Sequence, residues 1–466
     1  MTNEGGRIAV IGVAIGYLLG LTWAMNNIAY DIWGAMIVAP PMAVVTVLGV
    51  RRLFGGELQP LVLPMLIAFA LKLGGSAARY WIAFDVYGGA SDAGRYHEYG
   101  RYMAGTVWDG TNNLGAVLPG ATGTVFVERF TSFVYTFVGS SKLAGFVIFG
   151  WLAFWGVACF VKAACIGVPG LAQRRYAWLC AVAPSLVYWP SSIGKEALMI
   201  CFLGVGTLGI ARLLERRGFV PSLLLAVAGL AGAALIRPHI AGVWLAGAFA
   251  ALLVALSRSL GRTERTGHTG RRGTEVLMLV SVVAFAAFAL VIVGQFALRY
   301  LKPGDEETSV GSGITAILEE TTRRSDTGGS SFAPPIVSGP KDWPFAVLRT
   351  LTRPMLNEAS GLLQLLSAVE MGALIGLCVL SWRRLFSVPR SILTIPYVAF
   401  AMTALFAAGL AYTSFANLGI LTRQKSLVFP LLLLLPCLPL RSLRTGHSGG
   451  TDENHDDRDR QLTLTS

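Results

Sequence analysis

The sequence predicts an all-α polytopic membrane protein of about twelve transmembrane helices, and three observations carry that expectation. Of the 466 residues, 54% are hydrophobic and only 14% charged, with a mean hydropathy of +0.60, whereas a soluble domain is nearer ~45–50% apolar. Apolar runs close to the roughly 20 residues that cross a bilayer recur from Ile8 to Leu440. Basic residues gather in short loops after every second run: Arg51 and Arg52, then Lys162, Arg174 and Arg175, then Arg212, Arg216 and Arg217. Arg258 to Arg272, Arg383 to Arg390 and the residues from Arg441 continue the series. The positive-inside rule makes these loops cytoplasmic, and both termini with them. Orientation therefore accounts for the net charge of +12, and no nucleic-acid partner is expected.

Spans are expected near 8–25, 33–50, 59–77, 142–161 and 176–190, then from Lys195, then near 219–236, 240–257, 275–297, 359–381, 391–412 and 426–440. The first lacks a basic leader and a small-residue cleavage site, so it reads as a retained span. The third leads into an outer loop, about 78–141, that begins with SDAGRYHEYGRY. Within this loop Thr124 to Val138 is apolar and aromatic but carries Glu128 and Arg129 at its middle, which predicts an interfacial or re-entrant helix. If it crossed, every later Arg-rich loop would change sides.

The fifth span is short and ends at Trp189-Pro190-Ser191-Ser192, so Lys195 and Glu196 start the sixth from outside. Spans seven and eight are joined by only Arg237-Pro238-His239, on the same side. A second outer loop, about 298–357, holds an amphipathic stretch at 309–320, a Ser/Gly/Pro-rich segment at 328–340 and an interfacial stretch from Trp343 to Glu358. The chain emerges outside again at Thr413 to Gln424, and its last span contains Pro430, Pro436 and Pro439. Residues 1–440 thus read as a single transmembrane domain, and the polar, acidic 441–466 as a disordered cytoplasmic tail.

The six cysteines lie in or beside apolar runs, so no disulfide framework or thiolate metal site is expected. No Walker A lysine, HExxH or GxSxG motif is present. The glycines of the apolar runs read as helix-packing contacts.

On this topology Asp92, His97, Lys195, Glu196, Arg237, His239, Arg353, Glu358, Arg423 and Lys425 share the outer face. Charge at such depth is costly unless it pairs, meets water or serves a substrate, and a span broken next to Lys195-Glu196 has the form of a cavity-lining helix. Lys195, Arg237, Arg353 and Arg423 would suit a phosphate or diphosphate, because guanidinium offers paired donors to its oxygens. Arginines can also stabilise the charge that develops on a polyprenyl diphosphate leaving group without a metal. Deprotonating an acceptor hydroxyl needs a base. Asp92 is favoured, with His97, Glu98, Glu196, His239 and Glu358 as alternatives. Tyr96, Tyr99, Tyr188 and Trp189 are candidates for stacking on sugar rings, and Glu358 for a polar contact to the sugar. A carboxylate pair holding a divalent metal on the lipid phosphate is the less favoured arrangement; no cofactor is expected.

Four patches, Asp92 to His97, Pro184 to Glu196, Arg237-Pro238-His239, and Asn417 to Gln424, resemble bacterial integral-membrane proteins of polysaccharide gene clusters. These are related to oligosaccharide-repeat polymerases and, more distantly, to GT-C membrane glycosyltransferases. A fifth patch, Thr352-Arg353-Pro354-Met355-Leu356-Asn357-Glu358, resembles an Arg-Pro pair followed by an acid entering a span. The resemblance implies glycosyl transfer from an undecaprenyl-linked donor to a growing glycan at the outer face of the bacterial cytoplasmic membrane. Basic residues would grip the phosphate beneath an outer loop. GT-C enzymes place an acidic residue just after their first span, where this chain offers Asp31, whereas Asp92 follows the third; a metal-independent site is therefore expected. Two other classes stay open: a transporter or flippase of lipid-linked glycans, marked by related halves and a midplane site, and a non-catalytic scaffold of envelope assembly, marked by tolerance of change at Lys195, Glu196 and Arg237.

Overall fold

The computed structural model describes residues 4–118, 120, 122–266, 332, 339–359 and 361–440. The expected span at 275–297, most of the expected 298–357 loop and the 441–466 tail lie outside these residues. The described chain is helical. Its helices are α1 (Glu4–Asn27), α2 (Tyr30–Leu53), α3 (Val62–Trp81), α4 (Asp92–Trp108), α5 (Thr124–Val138), α6 (Lys142–Gly167), α7 (Gln173–Val182), α8 (Pro184–Tyr188), α9 (Lys195–Leu214), α10 (Phe219–Ile236) and α11 (Pro238–Thr266). After them come α12 (Trp343–Thr352), α13 (Leu362–Leu380), α14 (Trp382–Leu385), α15 (Val388–Thr394), α16 (Pro396–Tyr412), α17 (Leu418–Lys425) and α18 (Phe429–Leu432). Among the described residues seven helices are long and apolar enough to cross a membrane, or up to nine if each of two bent pairs forms one span. Leucines such as Leu48 on α2, Leu224 on α10 and Leu366 on α13 point outward from the bundle, as a surface solvated by lipid requires. The protein is polytopic and membrane-embedded.

Contacts along the helices fix their relative directions. Gly34 abuts Ser141 and Trp151 donates to Thr46 Oγ1 at 2.8 Å, so α2 and α6 run parallel. Ser76 donates to the Phe146 carbonyl while Phe69 meets Phe154, so α3 runs the opposite way. Gly145 faces Ile193 and Gly156 faces Gly204, which makes α9 parallel to α6. Gly209 against Ala226 and Gly232 against Phe202 make α10 antiparallel to α9. Among these helices α2, α6 and α9 run one way and α3 and α10 the other, so the ends carrying Arg51, Lys162 and Arg212 fall together. Lys162 Nζ there donates to the Leu53 carbonyl at 2.7 Å.

Helix α5 begins where Gly123 donates to the Leu235 carbonyl at the end of α10 and finishes where Gly139 touches Tyr30 at the start of α2. Both of its ends lie at one end of the bundle, so this helix does not cross it. Three expected spans differ in form. The run near 176–190 is two short helices, α7 and α8, because Pro184 begins a new helix and Pro190 cannot donate a backbone hydrogen bond. The run near 391–412 starts its straight part at Pro396, bent by 107° from α14–α15. The run near 426–440 is α18 and a short 3₁₀ turn, Leu435–Cys437, bent by 67° from α17.

The centre is α6, which threads between α2, α3 and α9. Its seam with α9 is backbone against backbone: a Cβ on Gly204 would stand 2.1 Å from the Gly156 carbonyl oxygen. Gly206 and Gly229 form a similar seam between α9 and α10. Small residues let membrane helices approach to this distance, where dispersion replaces the missing hydrophobic drive. Gly204→Val is expected to cost about 1–3 kcal/mol or more, as overpacking of a closed seam does, measured as a lower midpoint of thermal unfolding in detergent. An equal midpoint would show that the seam can part without cost.

Candidate functional site

The segment from Pro184 to Glu196 breaks the helical run and is tied down almost turn by turn. Ser185 donates through its backbone nitrogen to Glu370 Oε1 at 2.9 Å, and its hydroxyl bonds the same carboxylate. Lys72, buried on α3, donates to the carbonyls of Leu186 at 2.5 Å and Pro190 at 3.4 Å. The first lies in α8, where Pro190 has no N–H to give it, and the second just past that helix, so the ammonium takes the place of a next turn. Gly75 permits the approach, since a Cβ there would lie 2.5 Å from the Val187 carbonyl oxygen. Arg79 donates to the Tyr188 hydroxyl and to Ser192 Oγ, both at 3.3 Å, and lies over the rings of Tyr188 and Trp189. Lys72→Met is expected to destabilise the protein by about 1–3 kcal/mol through the orphaned carbonyls, with faster proteolytic cleavage at 184–194 than elsewhere as the readout; uniform cleavage would contradict a local role.

Beyond this break the chain enters α9 with Lys195 and Glu196, and a run of charges begins. Glu196, with a side chain 3% exposed, receives the Arg237 Nη2 donor at Oε1, 2.9 Å away. The same oxygen lies 2.8 Å from Arg423 Nε. Arg423 turns both terminal nitrogens to Asp92 Oδ2 at 3.0 Å, and Arg237 gives its other terminal nitrogen to Gln424 Oε1 at 2.8 Å. The order Arg237, Glu196, Arg423, Asp92 thus links the starts of α9 and α4, the junction before α11, and α17. Lys195 Nζ donates to Thr124 Oγ1 at 2.8 Å; no carboxylate pairs with it among the described residues. Asp92 is the open end of the chain, with 58% of its side chain exposed.

Local structure explains why these side chains meet. Ser91 caps α4 by accepting from the Gly94 nitrogen, which sets Asp92 in the first turn, where the helix dipole favours an acid. Asn417 caps α17 by accepting from the Ile420 nitrogen, so that Arg423 lies near the end of that helix. Arg237 stands between α10 and α11, ahead of the helix-starting Pro238.

Other predicted residues fall beside the chain or away from it. Tyr96 is 2% exposed, so its ring supports the cluster from within and offers no face for a sugar; burial pushes its hydroxyl up to about 12. His97 lies apart, its Nδ1 2.9 Å from the Tyr135 hydroxyl and its ring against Phe84 and Tyr135. It locks α4 to α5 and does not reach the charges around Glu196. Glu98 pairs on the surface with Arg101 at 3.0 Å. His239 lies two residues after Arg237, in the first turn of α11, with Nδ1 buried and without a hydrogen-bond partner. Arg353 and Glu358 pair with each other at 2.8 Å, and Arg353 stacks over Phe332. Lys425 joins this second pair to α17 through the carbonyls of Leu351, at 3.3 Å, and Arg353. Trp189 is partly exposed beside Tyr188. Among the described residues no group of three or more His, Cys, Asp or Glu side chains is arranged to hold a metal ion.

Burial lowers the His97 imidazole from 6.5 to about 4 and pushes the Tyr135 hydroxyl well above its usual range. Between pH 6.5 and 4 the unfolded chain takes a proton at this histidine that the native protein refuses. Stability should therefore fall with falling pH in that window, by up to about 1.4 kcal/mol per pH unit. Unfolding midpoints of wild type and His97→Gln across it should show a shallower slope in the variant; equal slopes would place the titration elsewhere.

Three contributors escaped the sequence: Lys72, Arg79 and Glu370. Lys72 and Glu370 sit alone within apolar runs, where a single ionisable residue is itself a functional signal. Arg79 lies at the boundary of span and loop, where a basic residue carries no distinct signal.

Comparison with protein-family models, with curated proteins and with solved structures returns no match.

Proposed function

We propose that the protein is a membrane glycosyltransferase or polysaccharide polymerase acting at the extracytoplasmic face of the bacterial cytoplasmic membrane. It takes a sugar from a polyprenyl-(di)phosphate donor and adds it to a growing cell-envelope glycan. The observation that carries this reading is the Arg237–Glu196–Arg423–Asp92 chain at one end of an apolar bundle, flanked by Lys195 with only a neutral partner. A lipid-borne phosphate reaches the end of a span from the bilayer side, and guanidinium forks bind its oxygens in pairs.

In the proposed reaction the acceptor hydroxyl oxygen attacks the anomeric carbon of the donor sugar, and the bond from that carbon to the phosphate oxygen breaks. The acceptor proton goes to a carboxylate, for which Asp92 is the candidate because it is the exposed member of the chain. The bonding electrons leave with the phosphate oxygen, whose charge Lys195 and Arg423 stabilise. Before substrate enters, Asp92 occupies the terminal nitrogens of Arg423. Phosphate competes for the same nitrogens and releases the carboxylate beside the reacting centre. Glu196 stays buried behind the arginines, holding them in register.

The test is turnover of purified protein with a lipid-linked donor and acceptor. Arg237→Ala and Arg423→Ala should each lose roughly 10²–10³-fold in kcat, the scale of removing one preorganised donor. Unchanged turnover in both would remove the phosphate grip, and glycan movement across liposomes without a new glycosidic bond would assign transport instead.

A further inference from the structure

We infer that Arg175, Arg383 and Arg384 form a second anion site, at the opposite end of the bundle from Glu196, that takes a phosphate ester. A cavity of about 360 Å³ opens there between the start of α7 and the junction of α13 with α14, lined by these three arginines together with Ser381, Trp382 and Leu440. Its volume falls in the range of small-ligand sites, roughly 300–1,000 Å³.

The charge balance of this cavity differs from that at the other end. Arg175 donates to Ser381 Oγ at 2.7 Å, Arg384 to the Leu438 carbonyl, and Arg383 lies over the Trp382 ring at 5.5 Å. All of these partners are neutral. Among the described residues no carboxylate pairs with any of the three arginines, and no acidic side chain lines the cavity. Three like charges converging on one space repel each other unless an anion joins them. Each arginine spends only part of its five-donor fork, so donors remain for the oxygens of a phosphate.

Position narrows the source of that phosphate. The cavity lies where α13 ends, and Leu380, Trp382 and Leu440 at its rim are exposed, continuing the outward apolar surface of α13. A headgroup on an acyl chain meets both requirements at once, apolar at the rim and anionic within, and basic pockets at span ends are suited to acidic lipids. A soluble phosphate ester shares the inner chemistry and lacks the apolar part.

Native mass spectrometry of the full chain in detergent separates these cases, with phosphatidylglycerol, phosphatidylcholine and glycerol 3-phosphate as probes. The expected result is retention of phosphatidylglycerol over phosphatidylcholine. An arginine near the surface contributes about 1 kcal/mol to such binding, so Arg383→Gln should weaken it about fivefold and the triple change of Arg175, Arg383 and Arg384 to Gln about a hundredfold. Arg383 donates no hydrogen bond among the described residues, so the single variant keeps the fold and preserves the test if the triple variant does not fold. Displacement of phosphatidylglycerol by glycerol 3-phosphate would support the site with a soluble ester as its ligand, and no displacement would support it with lipid. Equal retention of both lipids without any glycerol 3-phosphate binding, or unchanged phosphatidylglycerol retention in Arg383→Gln, would overturn the proposal.

Discussion

Glu196→Ala is expected to destabilise the protein by about 3–5 kcal/mol, the cost of removing one partner from a buried ion pair. Arg237 and Arg423 both direct a nitrogen to Glu196 Oε1, so the change leaves two guanidinium groups facing each other with no carboxylate between them. Glu196→Gln keeps the acceptor oxygen and should cost less, because one hydrogen bond survives while the charge is lost. A double-mutant cycle with Arg423→Gln isolates the pair, and its coupling should be favourable by about 0.5–3 kcal/mol, since the residues touch. A coupling of zero in thermal unfolding experiments would mean that the two charges are held by other groups. This prediction concerns the fold alone and stands whatever reaction the protein performs.

Asp92→Asn carries the second large effect and does depend on the proposed reaction. Turnover should fall roughly 10²–10⁴-fold, the contribution of a positioned general base. Binding of a polyprenyl phosphate should move the other way and tighten, because an amide competes less well than a carboxylate for the terminal nitrogens of Arg423. Loss of turnover with tighter binding is a combination that general unfolding does not produce. Weaker binding in the variant would make Asp92 part of the phosphate site itself, and unchanged turnover would pass the role of base to another acid or to His239.

Much of the fold was legible because membrane spans announce themselves by composition. Long apolar runs, Arg-rich loops at alternate ends and the charged middle of Thr124 to Val138 each have one physical explanation, and the packing of α2, α3, α5, α6 and α9 agrees with it. The gathering of Asp92, Glu196, Arg237 and Arg423 was legible for the same reason: each ends or interrupts a span on one side. Their pairing was not. The sequence predicts Lys195, Arg237, Arg353 and Arg423 as a cationic cluster and does not say which acid meets which of them, whereas in the structure Glu196 pairs with Arg237 and Arg423 and Asp92 with Arg423. Which oxygen meets which nitrogen depends on side chains brought together across hundreds of residues, and no local pattern records it. Bends such as the one before Pro396 were hidden because hydropathy averages over a turn in direction, and the burial of Tyr96 and His97 was hidden because a helix turns successive residues to different faces.

The glycine seams of α6, α9 and α10 have a mechanical consequence. Where main chain rests on main chain, as at Gly156 with Gly204 and Gly206 with Gly229, neither sliding nor rotation is open without a steric clash. These three helices act as a stator, and the start of α9 is a post fixed to it. The α4–α5 hairpin meets that end in two ways, through polar links of Asp92 to Arg423, Thr124 to Lys195 and Gly123 to Leu235 and through aromatic packing of Phe126 on Phe202 and Phe130 on Phe149. The hairpin's polar joints are exchangeable with water or ligand, whereas the seam beneath them is built from the smallest residues in the chain.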